Sequence, residues 1–262
     1  MTSAARKAQP RLANLREHAE TSAVPAAIFG IYCYFLVDYF VRFSSRIPFY
    51  GQLQPTLLLV LILGVALATQ MDKVKDTLRE KPARLVLILI GYILVSVPFV
   101  EWPGSVVKEN LEPFVKAVIF LFFTATIVDT DRRLKIFVWL FIGLQIFRIL
   151  EPLLTYLITG NMTGKTYVGG GVFTGRLGGA EADVINPNGL GFVIVTTMTF
   201  MHFMMSRSPS KMIRLAYYAL LPALLYALLL TASRGAFITL LVLGFFIFLD
   251  SKKKLLLTII VC

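Results

Sequence analysis

Two cysteines and two histidines are all that the 262 residues contain. Cys33 sits inside an apolar stretch and Cys262 is the last residue, so no disulfide framework and no metal-ligand spacing can be read from them. Charge is scarce as well. Only 16% of residues are Asp, Glu, Lys or Arg, against about 25% in soluble domains, which excludes an ordinary water-soluble fold. Acids are the scarcer sign, 15 against 26 Lys and Arg, and the formal net charge is +11.

What fills the chain is hydrocarbon. Hydrophobic residues make up 57% of it and the mean hydropathy is +0.75. A helical span needs about 17–25 apolar residues, and such windows recur at 23–41, 56–71, 85–100, 113–129, 136–159, 187–205, 214–232 and 235–249, with a ninth beginning at 255. The expected fold is all-α, a polytopic helical membrane protein of about eight to nine transmembrane helices. Residues 1–22 form a basic, polar N-terminal tail with a short amphipathic helix, and 23–262 the transmembrane domain. The tail is too long and too weakly punctuated for a cleaved signal peptide.

The connections fall into two alternating sets. The tail (Arg6, Lys7, Arg11, Arg16), "DKVKDTLREKPAR" from Asp72, "DRRLK" from Asp131, "RSPSKMIR" from Arg207 and "SKKK" from Ser251 hold eighteen of the 26 Lys and Arg. The positive-inside rule makes this set, and the N-terminus, cytoplasmic. The net charge is thereby a topology signal with a hold on anionic membrane lipid, and no nucleic-acid partner is expected. The other set, 42–55, 101–112, 160–186 and the junction 233–234, faces outward and carries Glu101, Glu109, Glu112, Glu181 and Asp183. Its longest member, "GNMTGKTYVGGGVFTGRLGGAEADVINPNG", is Gly-rich and polar, a length at which loops tend to be functional or disordered. "GNMTGKT" has three residues between its glycines where a phosphate-binding P-loop needs four, so it reads as a solvated turn.

Four side chains are candidates for a site. Arg234 interrupts "LLLTASRGAFITLL", and at mid-bilayer an arginine costs roughly 2.5–3.5 kcal/mol. The apolar run 214–249 is too long for one helix, so "TASRG" must be a tight break with Ser233 as N-cap. Arg234 then either snorkels from a hairpin tip or makes an anion site with the helix N-terminus. Arg148 in "LQIFRILEPLL" has Glu151 three residues on, and either pairs with it along one helix face or faces a polar cavity in the outer membrane half. Arg176 sits among glycines in "TGRLGG", as a solvated loop residue or a ligand contact. In "INPNGLG", Asn186 and Pro187 cap a helix, while Asn188 has no such duty. His202 lies near the inner end of its span, and no outward-facing histidine is present.

"RLGGAEADVINPNGLGFVIV", followed by "LLTASRGAFITLLVLGFFIF" and preceded by "YFVRFSSRIPFYGQLQPTLLLVLIL", resembles the O-antigen ligase and polymerase family of bacterial inner-membrane glycosyltransferases of GT-C type. The resemblance implies transfer of a glycan from an undecaprenyl-pyrophosphate carrier to an acceptor (lipid A-core, a second glycan or a protein) at the periplasmic face, with no metal, nucleotide sugar or other cofactor. It implies that Arg234, Arg176, Arg148 and Asn188 hold the pyrophosphate. Arg234 of "SRGA" matches the family motif best, Arg176 and Asn188 match its "R…NPN" segment, and Arg148 matches by location. The family's arginine is followed four residues on by leucine, where this chain has Ile238. The family's large periplasmic loop and its base, a histidine, would lie beyond residue 262, so the chain is expected to be a fragment or truncated form that binds the carrier and catalyses only at greater length. The competing expectations are an anion transporter of bicarbonate-carrier type and an inactive truncated relative. No internal repeat supports the former.

Overall fold

In the computed structural model, which describes residues 24–169, 172–183 and 185–250, each apolar window between 24 and 250 is a helix. They are α1 (Ala26–Val41), α2 (Pro55–Ala68), α3 (Met71–Arg79), α4 (Lys81–Ser96), α5 (Glu112–Ile127), α6 (Asp131–Thr159), α7 (Pro187–Met201), α8 (Lys211–Thr231) and α9 (Arg234–Asp250). The fold is all-α with one small exception, an antiparallel ribbon of β1 (Gly164–Gly169) and β2 (Val172–Arg176), with Gly164 opposite Arg176 and Thr166 opposite Thr174. The amphipathic helix expected in the tail and the span expected from 255 lie outside the described residues.

Helix length corrects the expected number of spans. Among the described residues four helices are long and apolar enough to cross a membrane: Lys81–Phe99, Asp131–Thr159, Pro187–Ser206 and Lys211–Thr231. A fifth is reached if α2 and α3, bent by 95° at their junction, count as one. Ala26–Val41, Phe114–Ile127 and Arg234–Leu249 are apolar but shorter. At about 1.5 Å per residue a 16-residue helix such as α1 reaches about 24 Å, short of a hydrocarbon layer about 30 Å thick. Arg42 and Gln54, both in left-handed backbone, stand just outside the apolar windows, Arg42 after the end of α1 and Gln54 as the N-cap of α2.

The described chain forms two compact units, residues 24–36 with 53–137, and residues 37–52 with 138–250, with α1 and α6 each contributing to both. In the first unit the fully buried Tyr32 shares a 2.7 Å hydrogen bond with Thr124 of α5, and Phe35 meets Phe123 edge-on. Asp129 gathers Arg133 at 2.7 Å, Lys73 at 3.6 Å and the backbone N–H of Val24 at 2.8 Å. Two of the basic connections and Val24, just ahead of α1, are therefore tied to one carboxylate.

The second unit is built on α7, which packs against both α8 and α9 through Leu190, Ile194, Met198, Leu224, Leu228 and Ala236. The approach to α9 is close enough to require a residue without a side chain. A Cβ on Gly191 would stand 2.7 Å from the Ala236 Cβ and 3.0 Å from that of Ser233. Small residues at such crossings let membrane helices pack by van der Waals contact. Gly191→Val is expected to cost about 1–3 kcal/mol through overpacking. A lowered melting midpoint of the detergent-solubilised protein reads this out, and an unchanged midpoint contradicts the close approach.

Candidate functional site

The break predicted inside "LLLTASRGAFITLL" is present. α8 ends at Thr231, Ala232 adopts left-handed backbone (φ 45°), and α9 starts at Arg234. Ser233 accepts a long hydrogen bond, 3.4 Å, from the backbone N–H of Ala236, and its carbonyl starts the new helix through Phe237. A positive φ at a residue with a Cβ is disfavoured, so something must hold the turn. Arg176 does. Its Nε donates to the Thr231 carbonyl at 2.7 Å and one terminal nitrogen donates to the Ala232 carbonyl at 3.1 Å. These are carbonyls that the end of α8 leaves without helical partners.

The same terminal nitrogen of Arg176 donates to Oδ1 of Asn188 at 2.7 Å. Asn188 stands in the first turn of α7, whose N-cap is Asn186. The Asn186 side chain accepts from the Gly189 N–H at 2.7 Å, and Pro187 is the first helical residue. Two helix starts and the end of β2 therefore converge. They enclose a pocket of about 520 Å³ lined by Arg176, Asn188, Phe192, Ala232, Ser233, Arg234 and Gly235. No acidic residue lines it. Arg234 is exposed, and its guanidinium takes no acceptor among the described residues. The pocket combines one arginine that is committed to backbone, one that is uncommitted, and the orphan amides of a helix start. That is the chemistry of an anion site.

Arg148 lies outside this pocket. Its guanidinium binds the Asp183 carboxylate in a fork, Nε to Oδ2 and the second nitrogen to Oδ1 at 2.9 Å, and it covers the ring of Phe40 at 5.3 Å. The exposure of the two side chains is 14% and 6%. The (i, i+3) pair expected between Arg148 and Glu151 is replaced by a crossed arrangement. Glu151 takes Arg46 instead, in a second fork at 2.6 and 2.5 Å. The hydrogen-bonded Glu151 raises the pKa of the Arg46 guanidinium above its usual value, against the effect of burial. Each arginine thus reaches a carboxylate outside its own helix.

The segment "GNMTGKTYVGGGVFTGR" is not the plain loop that its glycine content suggests. Its Thr, Tyr, Val and Phe residues alternate through two short runs that form the ribbon. The ribbon turns back tightly onto α7: a Cβ on Gly164 would lie 2.5 Å from Pro187 and 2.9 Å from the Arg176 carbonyl. This places the end of β2, and with it Arg176, against the α8–α9 turn. A second cleft, about 1370 Å³, is lined in part by Pro187 and includes Arg46, Glu151 and Asp183. Arg46 was not a sequence candidate. Its fork to a carboxylate 105 residues away leaves no local signal.

No group of three or more His, Cys, Asp or Glu side chains able to hold a metal occurs among the described residues. His202 rests 3.2 Å from the Tyr217 hydroxyl at the far end of α7. Comparison with protein-family models, with curated proteins and with solved structures finds no match to the chain.

Proposed function

We propose that this chain is the carrier-binding part of a membrane glycosyltransferase of O-antigen ligase type, and that the Arg176–Asn188–Arg234 pocket receives the diphosphate of an undecaprenyl-linked glycan at the periplasmic face of a bacterial inner membrane. The observation that carries the reading is the convergence itself. Three polar side chains drawn from β2, α7 and α9 meet in one pocket without an acid to neutralise them. The apolar helices supply the membrane setting, and the alternation of basic connections supports an N-in orientation that puts the α8–α9 turn outside.

In this reading the division of labour follows from the hydrogen bonds. Arg176 positions the turn and Asn188, and Arg234 contacts the phosphate oxygens, assisted by the amides of the α9 start. Arg148, outside the pocket, braces the wall of the neighbouring cleft through Asp183. Transfer to an acceptor hydroxyl leaves a diphosphate lipid, so cations placed where its charge develops lower the barrier. A base that removes the acceptor's proton completes the reaction. Undecaprenyl diphosphate is expected to raise the melting midpoint of the protein in nanodiscs, while undecaprenol, which lacks the phosphates, leaves it unchanged. Equal stabilisation by both lipids would contradict an anion site.

A further inference from the structure

Asn188 is followed by Gly189, and of the chain's five asparagines it alone precedes a glycine. Asn14 and Asn110 precede leucine, Asn161 methionine and Asn186 proline. The pairing matters because asparagine can lose its side-chain amide to its own backbone. The backbone nitrogen of the next residue attacks Cγ, the bond from Cγ to the side-chain nitrogen breaks, and ammonia leaves a five-membered succinimide behind. Water then opens the ring to aspartate or, at the other carbonyl, to isoaspartate. The net change is one amide and one water converted into a carboxylate and an ammonium ion, with no oxidant, metal or second protein. A following glycine favours the attack, because it has no Cβ to crowd the nitrogen and leaves the backbone free to rotate. This chemistry is one reason asparagine counts as thermolabile.

The structure holds both reacting groups, one prepared and the other restrained. Asn188 is exposed, so water reaches it. Its Oδ1 accepts from the Arg176 guanidinium at 2.7 Å, and a cation on that oxygen draws electrons from Cγ and stabilises the oxyanion that the attack creates. The side-chain nitrogen, which must leave, bonds to no described residue. The nucleophile is held back. The Gly189 N–H donates to Oδ1 of Asn186, the N-cap of α7, at 2.7 Å, and the Leu190 N–H donates to the Asn186 carbonyl at 3.0 Å. Attack on Cγ requires the peptide between 188 and 189 to turn out of helical geometry, which breaks the cap. Helix ends open locally at a small fraction of the cost of global unfolding, so the cap governs how often the nitrogen is free. The product falls at a sensitive place. Asn188 lines the Arg234 pocket, which has no acid. A carboxylate there would pair with Arg176 and oppose an incoming anion, and isoaspartate would add a backbone carbon to the first turn of α7.

We infer that Asn188 is a self-modification site, an Asn-Gly pair that deamidates when the first turn of α7 opens, with the Asn186 cap setting the rate and an acid in the Arg234 pocket as the outcome. The conversion stands without the carrier-binding reading, and only its effect on carrier binding rests on that reading. The full chain in nanodiscs, incubated at mildly alkaline pH, is followed by peptide mass spectrometry for the amide-to-acid mass change. Position 188 is expected to convert while Asn161, also exposed, does not. Asn186→Ala is expected to speed conversion about fivefold, the loss of an N-cap read as more frequent opening. Asn186→Asp, which keeps a capping oxygen, is expected to hold the parent's rate. Absence of conversion in both the parent and Asn186→Ala, or equal rates in the two, overturns the proposal. Should Asn186→Ala not fold, the parent tests the gate by itself. Warming within the folded range is expected to raise hydrogen exchange at the Gly189 amide and conversion at 188 together, and conversion that rises without exchange overturns the gate. Asn188→Asp fixes one product, and it is expected to bind undecaprenyl diphosphate about tenfold more weakly than the parent. Parent-like binding there, with binding weakened in Arg234→Ala, overturns the effect on the pocket and leaves the carrier reading standing. Parent-like binding in both variants overturns the carrier reading, while the rates at position 188 still decide the conversion.

Discussion

Arg234→Ala is expected to weaken binding of undecaprenyl diphosphate by about 10–100-fold, the loss of hydrogen bonds to a charged group at about 1.5–3 kcal/mol, with the fold unaffected. The second half of the expectation follows from the structure. The Arg234 side chain is exposed and holds no described residue in place, so its removal takes away no internal bond. Arg234→Lys keeps the charge and loses the planar fork that meets phosphate oxygens in pairs, and falls between alanine and the parent. Arg176→Ala behaves differently. It releases the Thr231 and Ala232 carbonyls and frees Asn188, so lower stability accompanies weaker binding. Titration of the three variants in nanodiscs, with melting midpoints measured on the same samples, checks both quantities. Parent-like affinity in Arg234→Ala would remove the residue from the site.

The largest stability effect is expected at the Arg148–Asp183 fork. Removing one partner of a buried ion pair strands the other, at a typical cost of 3–5 kcal/mol, whereas replacing both by apolar side chains of similar volume is often neutral. Arg148→Ala or Asp183→Ala is therefore expected to destabilise by about 3 kcal/mol, because Asp183 is almost fully buried and Arg148 nearly so. Arg148→Met combined with Asp183→Leu is expected to recover most of that loss, since Phe40 already provides an aromatic face over the guanidinium. Denaturant or thermal unfolding of the singles and the double gives the coupling directly. The double variant also separates a brace from a phosphate ligand. As a brace, it keeps carrier affinity once stability is restored; as a ligand, it loses affinity although stable. Silent single variants would contradict the buried pair.

Much of this architecture was readable along the chain. The α8–α9 turn follows from one arginine in a run of hydrocarbon too long for a single helix, together with the charge of the flanking connections. The start of α7 follows from Asn-Pro, an N-cap followed by the residue best suited to the first helical position. Both are local signals, and both put polar side chains at helix starts, which is why Asn188 and Arg234 could be singled out. Their meeting through Arg176 could not be read, because it depends on how the ribbon folds back on α7. The crossed pairs Arg148–Asp183 and Arg46–Glu151 were hidden for the same reason. Sequence spacing favours Arg148 with Glu151, three residues on, and only the fold brings in Asp183 from 35 residues away. The ribbon was masked by glycine, which lowers strand propensity on average while leaving the β-branched and aromatic residues on either side free to pair. The number of spans is not settled by composition, because Ala26–Val41, Phe114–Ile127 and Arg234–Leu249 are apolar enough for lipid but short, and four to five helices among the described residues have both the length and the composition to cross a membrane.

The central claim is that a lipid diphosphate lies in the pocket between the starts of α7 and α9. It is tested most directly by an electron cryomicroscopy structure of the chain in nanodiscs, bound to a rigidifying antibody fragment and saturated with undecaprenyl diphosphate. The account predicts density for both phosphates within hydrogen-bond distance of the Arg234 guanidinium and the first amides of α9, with Arg176 still on the Thr231 and Ala232 carbonyls. Diphosphate density at another place on the protein, with the Arg234 pocket empty at saturation, would contradict it.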